Sequence, residues 1–194
     1  NRLLNYATVP AAPGSAIKPL SVYAPAIDAG VVSSASVFDD VPLEFLGAES
    51  RAWPKNSPTV YQGLCDLGTA IAKSKNTVAV STLRLLGLES SYKTLTEKLG
   101  FSSLVRDGAD AAGNYITDLA EAPLALGQMT YGVSLRALTQ AYTTLADDGS
   151  YKKGRTYLVV YDNKGNVLLT NEAETHRVFK STTASILTKQ LEGV

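Results

Sequence analysis

Residues 13–19 read Pro13-Gly14-Ser15-Ala16-Ile17-Lys18-Pro19, and residues 70–80 read Ala70-Ile71-Ala72-Lys73-Ser74-Lys75-Asn76-Thr77-Val78-Ala79-Val80. The first stretch is a helix entry. Gly14 lets the chain turn sharply, and a helix is predicted from Ser15 to about Ala29, closed by Gly30. Residues three apart share a helix face, so the Lys18 amine can reach the Ser15 hydroxyl. A serine hydroxyl is a weak nucleophile until something takes its proton. A lysine can do this only when its pKa falls. Burial and the positive end of a helix dipole both push it down. The local residues alone favour a plainer reading, in which Ser15 caps the helix and Lys18 is solvated.

Spacing does not single out this pair. Ser-x-x-Lys occurs three times, at Ser15/Lys18, Ser90/Lys93 and Ser150/Lys153. Ser90 follows Gly87 in a polar connection and reads as a helix cap. Ser150 follows Asp148-Gly149 and reads as an exposed turn. Only Ser15 has Pro-Gly before it and a proline after the lysine. The second stretch holds the one Ser-x-Asn of the chain, Ser74-Lys75-Asn76, between two helical patterns. A hydroxyl at Ser74 could relay a proton, and the Asn76 amide could both donate to and accept from a substrate amide. By itself this element is better read as helix capping.

Outward from these stretches, residues 1–14 read as strand or loop and residues 31–62 as a long, weakly periodic loop region. Helical spacing resumes from Tyr61, with Leu64, Leu67 and Ile71 on one face. It breaks at Ser74-Lys75-Asn76, with Ser74 or Asn76 as a good N-cap, and continues from Thr77 to Leu86. Further helices are expected over Tyr92–Leu99, Ala122–Leu126 and Leu135–Ala146, the last stopped by Asp147-Asp148-Gly149. Residues 156–162 and 166–170 read as a hairpin about Asp162-Asn163-Lys164-Gly165, and a final helix starts near Ser181 or Thr182. Helices in the middle and strands near the ends give an α+β class with its sheet only partly present.

The composition closes off several functions. Eighteen basic and 18 acidic residues cancel, so no basic field exists for nucleic acid or anionic lipid. The single cysteine, Cys65, forms no internal disulfide; it falls on an apolar helix face and reads as a buried structural thiol. No cluster has metal spacing, and no cofactor motif is present. The lone histidine, His176, sits in charged sequence and is placed at the surface. The string Asp107-Gly108-Ala109-Asp110 reads as a solvated loop, Tyr115 and Tyr131 as ordinary packing, and Trp53 as packing for the loop region.

Taken together, Ser15-x-x-Lys18 and Ser74-x-Asn76 resemble the signature of penicillin-binding proteins and serine β-lactamases, which runs Ser-x-x-Lys, Ser-x-Asn, Lys-Thr-Gly. The surrounding residues resemble the transpeptidase domain of class A, bifunctional penicillin-binding proteins. These are Asn1-Arg2, Tyr23-Ala24-Pro25-Ala26, Trp53-Pro54-Lys55-Asn56, Leu126-Gly127-Gln128-Met129-Thr130-Tyr131-Gly132-Val133-Ser134, and Ala141-Tyr142. The resemblance implies a helical subdomain beside a helix-covered antiparallel sheet, with the site at their junction. It implies Ser15 as the nucleophile acylated by a D-alanyl-D-alanine stem peptide and Lys18 as the base. Ser74 would be the proton relay and Asn76 the holder of the substrate amide, with no cofactor and no metal. The acyl group would pass to an acceptor amine and cross-link peptidoglycan, and β-lactams would acylate Ser15 as mimics. The parent would be anchored in the membrane and work on its extracytoplasmic side. A D,D-carboxypeptidase or β-lactamase of the same fold, and a non-catalytic β-lactam sensor, are the rival readings.

One departure from the signature is plain. No Lys-Thr-Gly or Lys-Ser-Gly occurs; Lys180-Ser181-Thr182 is the nearest string and lacks the glycine. Residues 1–194 are therefore expected to be a partial transpeptidase domain. The third motif would come from a C-terminal segment, either a continuation or a separate chain. The isolated piece is not expected to acylate efficiently.

Overall fold

The structure, a computed structural model, describes residues 4–194; the Asn1-Arg2 pair lies outside them. Helical turns run from Gly14 to Asp28, within about one residue of the predicted helix, but not as one regular α-helix. Gly14–Ile17 is a 3-10 turn, Pro19–Tyr23 a π turn, and Ala24–Asp28 (α1) is α-helical. The prolines account for the change of pitch. Pro19 lacks the N–H that would reach the Ser15 carbonyl in an α-helix, and the Lys18 N–H takes that oxygen instead. The Ala24 N–H reaches back five residues to the Pro19 carbonyl, which is π spacing. Pro25 likewise has no N–H for the Ser21 carbonyl, and the buried Ser91 hydroxyl donates to it at 2.7 Å.

The remaining helices are α2 (Leu67–Ala72), α3 (Asn76–Leu86), α4 (Leu88–Lys93), α5 (Glu121–Leu126), α6 (Leu135–Ala146) and α7 (Ser181–Leu191). Helix α3 is central, burying Thr77, Val78, Ala79, Val80, Thr82 and Leu83 against α1, α5 and the π turn. Helix α7 packs on α1, α2 and α6. Ile17, Leu20, Tyr23, Leu95 and Leu124 fill the space between them. Each fully buried aliphatic side chain of this kind contributes roughly 1.5–3 kcal/mol of hydrophobic stabilisation.

Among the described residues the strands form only two-stranded antiparallel pairs. Strand β1 (Pro10–Ala11) pairs with β8 (Val133–Ser134), and β2 (Val37–Asp40) with β5 (Gly63–Asp66). Strand β3 (Glu44–Leu46) pairs with β4 (Arg51–Trp53), and β6 (Gly108–Ala109) with β7 (Tyr115–Ile116). Strand β9 (Ser150–Lys152) pairs with β12 (Thr175–Arg177), and β10 (Val159–Tyr161) with β11 (Val167–Thr170). The mixed helix-and-strand class agrees with the α+β expectation, and a helix-covered sheet is not among the described residues.

Several local expectations are corrected. Residues 31–62 are not simply loop, because β2, β3 and β4 lie there; runs of three or four residues are too short to show a period. Helical structure does not begin at Tyr61. Gly63–Asp66 is strand β5, Leu64 is exposed, and α2 starts only after Asp66, whose carboxylate accepts from the Thr69 N–H at 2.8 Å. Cys65 is buried as expected, but on this strand rather than on a helix. Ser90 lies inside α4, which Gly87 precedes, and Ser150 opens β9 rather than an exposed turn. The Asp107–Asp110 string contributes β6. Tyr115 and Tyr131 are not packed but exposed, at 68% and 58%.

Candidate functional site

Gly14 has φ +55, a left-handed conformation that glycine adopts without a Cβ penalty, and it swings the chain from β1 into the 3-10 turn. In that turn Ser15 and Ala16 face outward while Ile17 and Lys18 face inward, Lys18 with 2% exposure. The buried amine is not left without partners. Lys18 Nζ donates to the Ser74 carbonyl at 2.8 Å, to Ser74 Oγ at 3.1 Å and to Asn76 Oδ1 at 2.5 Å. Lys18, Ser74 and Asn76, from two stretches some 56 residues apart, therefore meet at one place, and Ser15 lines the same cleft as Asn76. No hydrogen bond joins Lys18 to Ser15 Oγ among the described residues; the amine points at the second motif. Burial lowers the Lys18 pKa from 10.5 to about 8.

The second motif is held by an unusual turn. The Ser74 N–H bonds to the Ile71 carbonyl at 2.9 Å and the Lys75 N–H to the Ala70 carbonyl at 2.9 Å. This closes α2 with Ser74 in the left-handed position that glycine usually takes. Ser74 has φ +49, and a non-glycine residue there costs about 1–2 kcal/mol. The turn aims both the Ser74 carbonyl and its hydroxyl at Lys18. The predicted capping of α3 by Ser74 or Asn76 is not found: Lys75 occupies the cap position without a side-chain bond. The free N–H groups are satisfied from outside, by Asn56 Oδ1, which accepts from Asn76 N at 2.8 Å and Thr77 N at 3.4 Å.

Asp40, at the end of β2, anchors that arrangement. It has 0% exposure and accepts from Lys75 Nζ at 2.6 Å, Asn56 Nδ2 at 2.6 Å, the Gln62 N–H at 2.9 Å and the Thr77 hydroxyl. Burial pushes its pKa up, but the bonds from Lys75, Thr77, Asn56 and Gln62 outweigh that and hold it at about 2. Asn56 also donates to the Val60 carbonyl at 3.1 Å, so its amide is fully occupied. Asn76 Nδ2 donates to the Lys55 carbonyl at 2.6 Å, which leaves its Oδ1 facing Lys18. Nothing in the sequence of Trp53-Pro54-Lys55-Asn56 marks Asn56 for this part, and nothing marks Asp40. A carboxylate in Val37-Phe38-Asp39-Asp40 looks solvated until the fold buries it.

A cleft of about 520 Å³ opens beside Ser15. Gly14, Ser15, Asn76 and Gln128 line it, as do β4 and the residues that follow, including Trp53, which the sequence reading gave only a packing part. Two further supports also escaped it. Gly127, φ +70, lies so close to Gly14 that an added Cβ would sit 2.2 Å from the Gly14 carbonyl oxygen. This fixes the residue-128 side of the cleft against the Ser15 turn. The Tyr142 hydroxyl donates to the Ala16 carbonyl at 2.7 Å, and burial pushes its pKa up to about 12, so it keeps that proton. His176 does not line this cleft; it is exposed on β12, bonded to the Lys98 carbonyl at 2.8 Å and tilted against Tyr151.

Comparison with known proteins places the family and the fold. The family model for the penicillin binding protein transpeptidase domain matches residues 2–194. Penicillin-binding protein 1A of Clostridium tetani is 34% identical over 191 residues, covering 94% of this chain and 23% of that protein. Penicillin-binding protein 1F of Bacillus subtilis is 33% identical over 190 residues, covering 98% of this chain and 24% of that one. The chain thus spans about a quarter of the length of these relatives. Among solved structures, penicillin-binding protein 1A from Haemophilus influenzae superposes with a TM-score of 0.74 at 22% identity, over 97% of this chain and 30% of that one. Penicillin-binding protein A from M. tuberculosis, solved as a ceftriaxone acyl-enzyme complex, gives 0.72 at 20% identity over 98% of this chain and 44% of its own. The fold is shared with both, and by the family match and the relatives the chain belongs to the penicillin-binding protein transpeptidase family, in its class A branch.

Proposed function

We propose that the chain is the front part of a peptidoglycan D,D-transpeptidase site in which Ser15 is the acylated nucleophile. The observation that carries this reading is the position of Lys18. Its buried amine sits behind the cleft-facing Ser15 turn and touches both Ser74 and Asn76. With a pKa of about 8, a useful fraction of Lys18 is neutral near physiological pH. A neutral amine can donate two of its three bonds and offer its lone pair to the Ser15 hydroxyl.

Ser15 Oγ gives its proton to Lys18 Nζ and bonds to the carbonyl carbon of the penultimate D-alanine. The C–N bond to the terminal D-alanine breaks. The departing amine takes a proton from Lys18, passed through Ser74 Oγ, 3.1 Å away. An acceptor amine then attacks the ester, loses a proton along the same route and frees Ser15, leaving a cross-link. Asn76 would hold the donor amide through its remaining N–H. β-Lactams would enter as acyl donors whose leaving group stays tethered. The work would take place on the extracytoplasmic side of the membrane, and a segment carrying Lys-Thr-Gly would complete the site. The test is Ser15→Ala in the full-length protein. Covalent labelling by a fluorescent penicillin should be lost with the fold intact by circular dichroism; persistent labelling would move the nucleophile elsewhere.

A further inference from the structure

The cleft beside Ser15 has a charge that the whole chain lacks. The chain carries 18 basic and 18 acidic residues, yet the cleft is lined by Arg51 and Lys55 and by no carboxylate. Glu44, opposite Trp53 in the β3–β4 pairing, is turned to Arg84, which also binds Glu121. Among the described residues neither Arg51 nor Lys55 has an acidic partner within salt-bridge distance.

The backbone that carries these exposed cations is bonded to its neighbours. Arg51 pairs with Leu46 in the β3–β4 ladder. The Lys55 carbonyl accepts from Asn76 Nδ2 at 2.6 Å, and the next residue, Asn56, is buried and fully bonded. The same cleft also presents apolar wall, from Leu46, Trp53 and Leu126, beside the polar Asn76 and Gln128. Such a surface fits a ligand with an apolar body and an anionic group set away from the reacting carbonyl.

We infer that the β4 side of the cleft is a subsite for a carboxylate on the acyl donor, read by Arg51 and Lys55. The preferred acyl donor is then one that carries a free carboxylate set away from its reacting carbonyl. The inference rests on acylation of Ser15. Exposed charges at a rim act mainly on association and are screened by salt.

The test uses the full-length protein and two penicillins that share a phenylacetyl-type side chain. Benzylpenicillin lacks a side-chain carboxylate, and carbenicillin carries one. The readout is the ratio of their second-order acylation rate constants, carbenicillin over benzylpenicillin. In the double variant Arg51→Gln/Lys55→Gln this ratio should fall about 3- to 10-fold. In the unmodified protein it should fall in the same direction as added salt rises. A ratio that moves with neither change overturns the subsite while leaving Ser15 acylation standing. Failure of both penicillins to label the unmodified protein overturns the acylation reading and the subsite with it.

Discussion

Ser15 and Lys18 share one helical turn but not one environment: Ser15 faces the cleft, and Lys18 is 2% exposed. The consequence is a pH dependence. Only neutral Lys18 can accept a proton, and its pKa is lowered by burial to about 8. Acylation by a penicillin should therefore speed up about tenfold per pH unit well below 8 and level off above it. Stopped-flow labelling of the full-length protein checks this, and a rate flat from about pH 6 to pH 9 would remove Lys18 from the role of base. The same shift acts against stability. The unfolded chain holds this proton up to about 10.5, so the cost of burying the ammonium is fully present below about 8 and is relieved as pH rises between the two values. Ser74 shows a second local cost, with its left-handed φ of +49. Both costs fall on residues of the proposed site, where strain and desolvation are expected to concentrate.

At the scale of elements, the start of α3 is placed by β2 and by the Trp53-to-Asn56 segment rather than by its own cap. Asp40 gathers Lys75, Asn56, Gln62 and Thr77, and Asn56 passes the hold on to the Asn76 N–H. Asp40→Asn would strand the Lys75 ammonium, which is 8% exposed, with only the Val60 carbonyl at 3.1 Å. Removing one partner of a buried pair costs about 3–5 kcal/mol. Thermal unfolding of the full-length protein should show a loss of that order, partly recovered in Asp40→Asn/Lys75→Met, which removes both charges. A loss that the second change does not recover would mean that the pair is not what holds the turn. Asp40 is held at about 2, so its contribution is complete above its ordinary value of 3.8 and fades only as pH falls toward 2.

At the scale of the molecule, the first and last helices are tied together across 152 residues. Asp28, at the end of α1, takes the place of a cap for α7. Its carboxylate accepts from the Lys180 N–H at 2.7 Å and the Thr183 hydroxyl at 2.9 Å, and its carbonyl accepts from Lys180 Nζ at 2.8 Å. Asp28→Ala should lower stability by about 1–2 kcal/mol, as loss of a helix cap does. Limited proteolysis should then release α7 early, and an unchanged cleavage order would show that apolar packing alone holds it. This tie also explains why Lys180-Ser181-Thr182 resembles the third motif only as a string: it opens a helix against Asp28 rather than forming a strand beside Ser15. By contrast, the β10–β11 ribbon leaves Leu158, Tyr161, Leu168 and Leu169 exposed.

The sequence by itself determined the family, and it picked out Lys18, Ser74 and Asn76, whose side chains the fold brings together. Both motifs depend on short spacing and on breakers, Pro-Gly before Ser15 and the helix break at Ser74, and such local features are written in adjacent residues. Helices α3, α6 and α7 were legible because 11 or 12 residues carry a full apolar period. The β10–β11 hairpin was legible too, from its β-rich arms about Asp162-Asn163-Lys164-Gly165. The shorter strands at residues 37–66 were not, and Gly63–Asp66 passed for the start of a helix, because Leu64, Leu67 and Ile71 fall at helical spacing, until β2 paired with β5. Only the tertiary structure decided that Asp40 and Asn56 hold the second motif and that Gly127 and Tyr142 brace the first. It alone set the charge of the cleft. Those assignments depend on burial and on partners tens of residues away, and no local pattern encodes either.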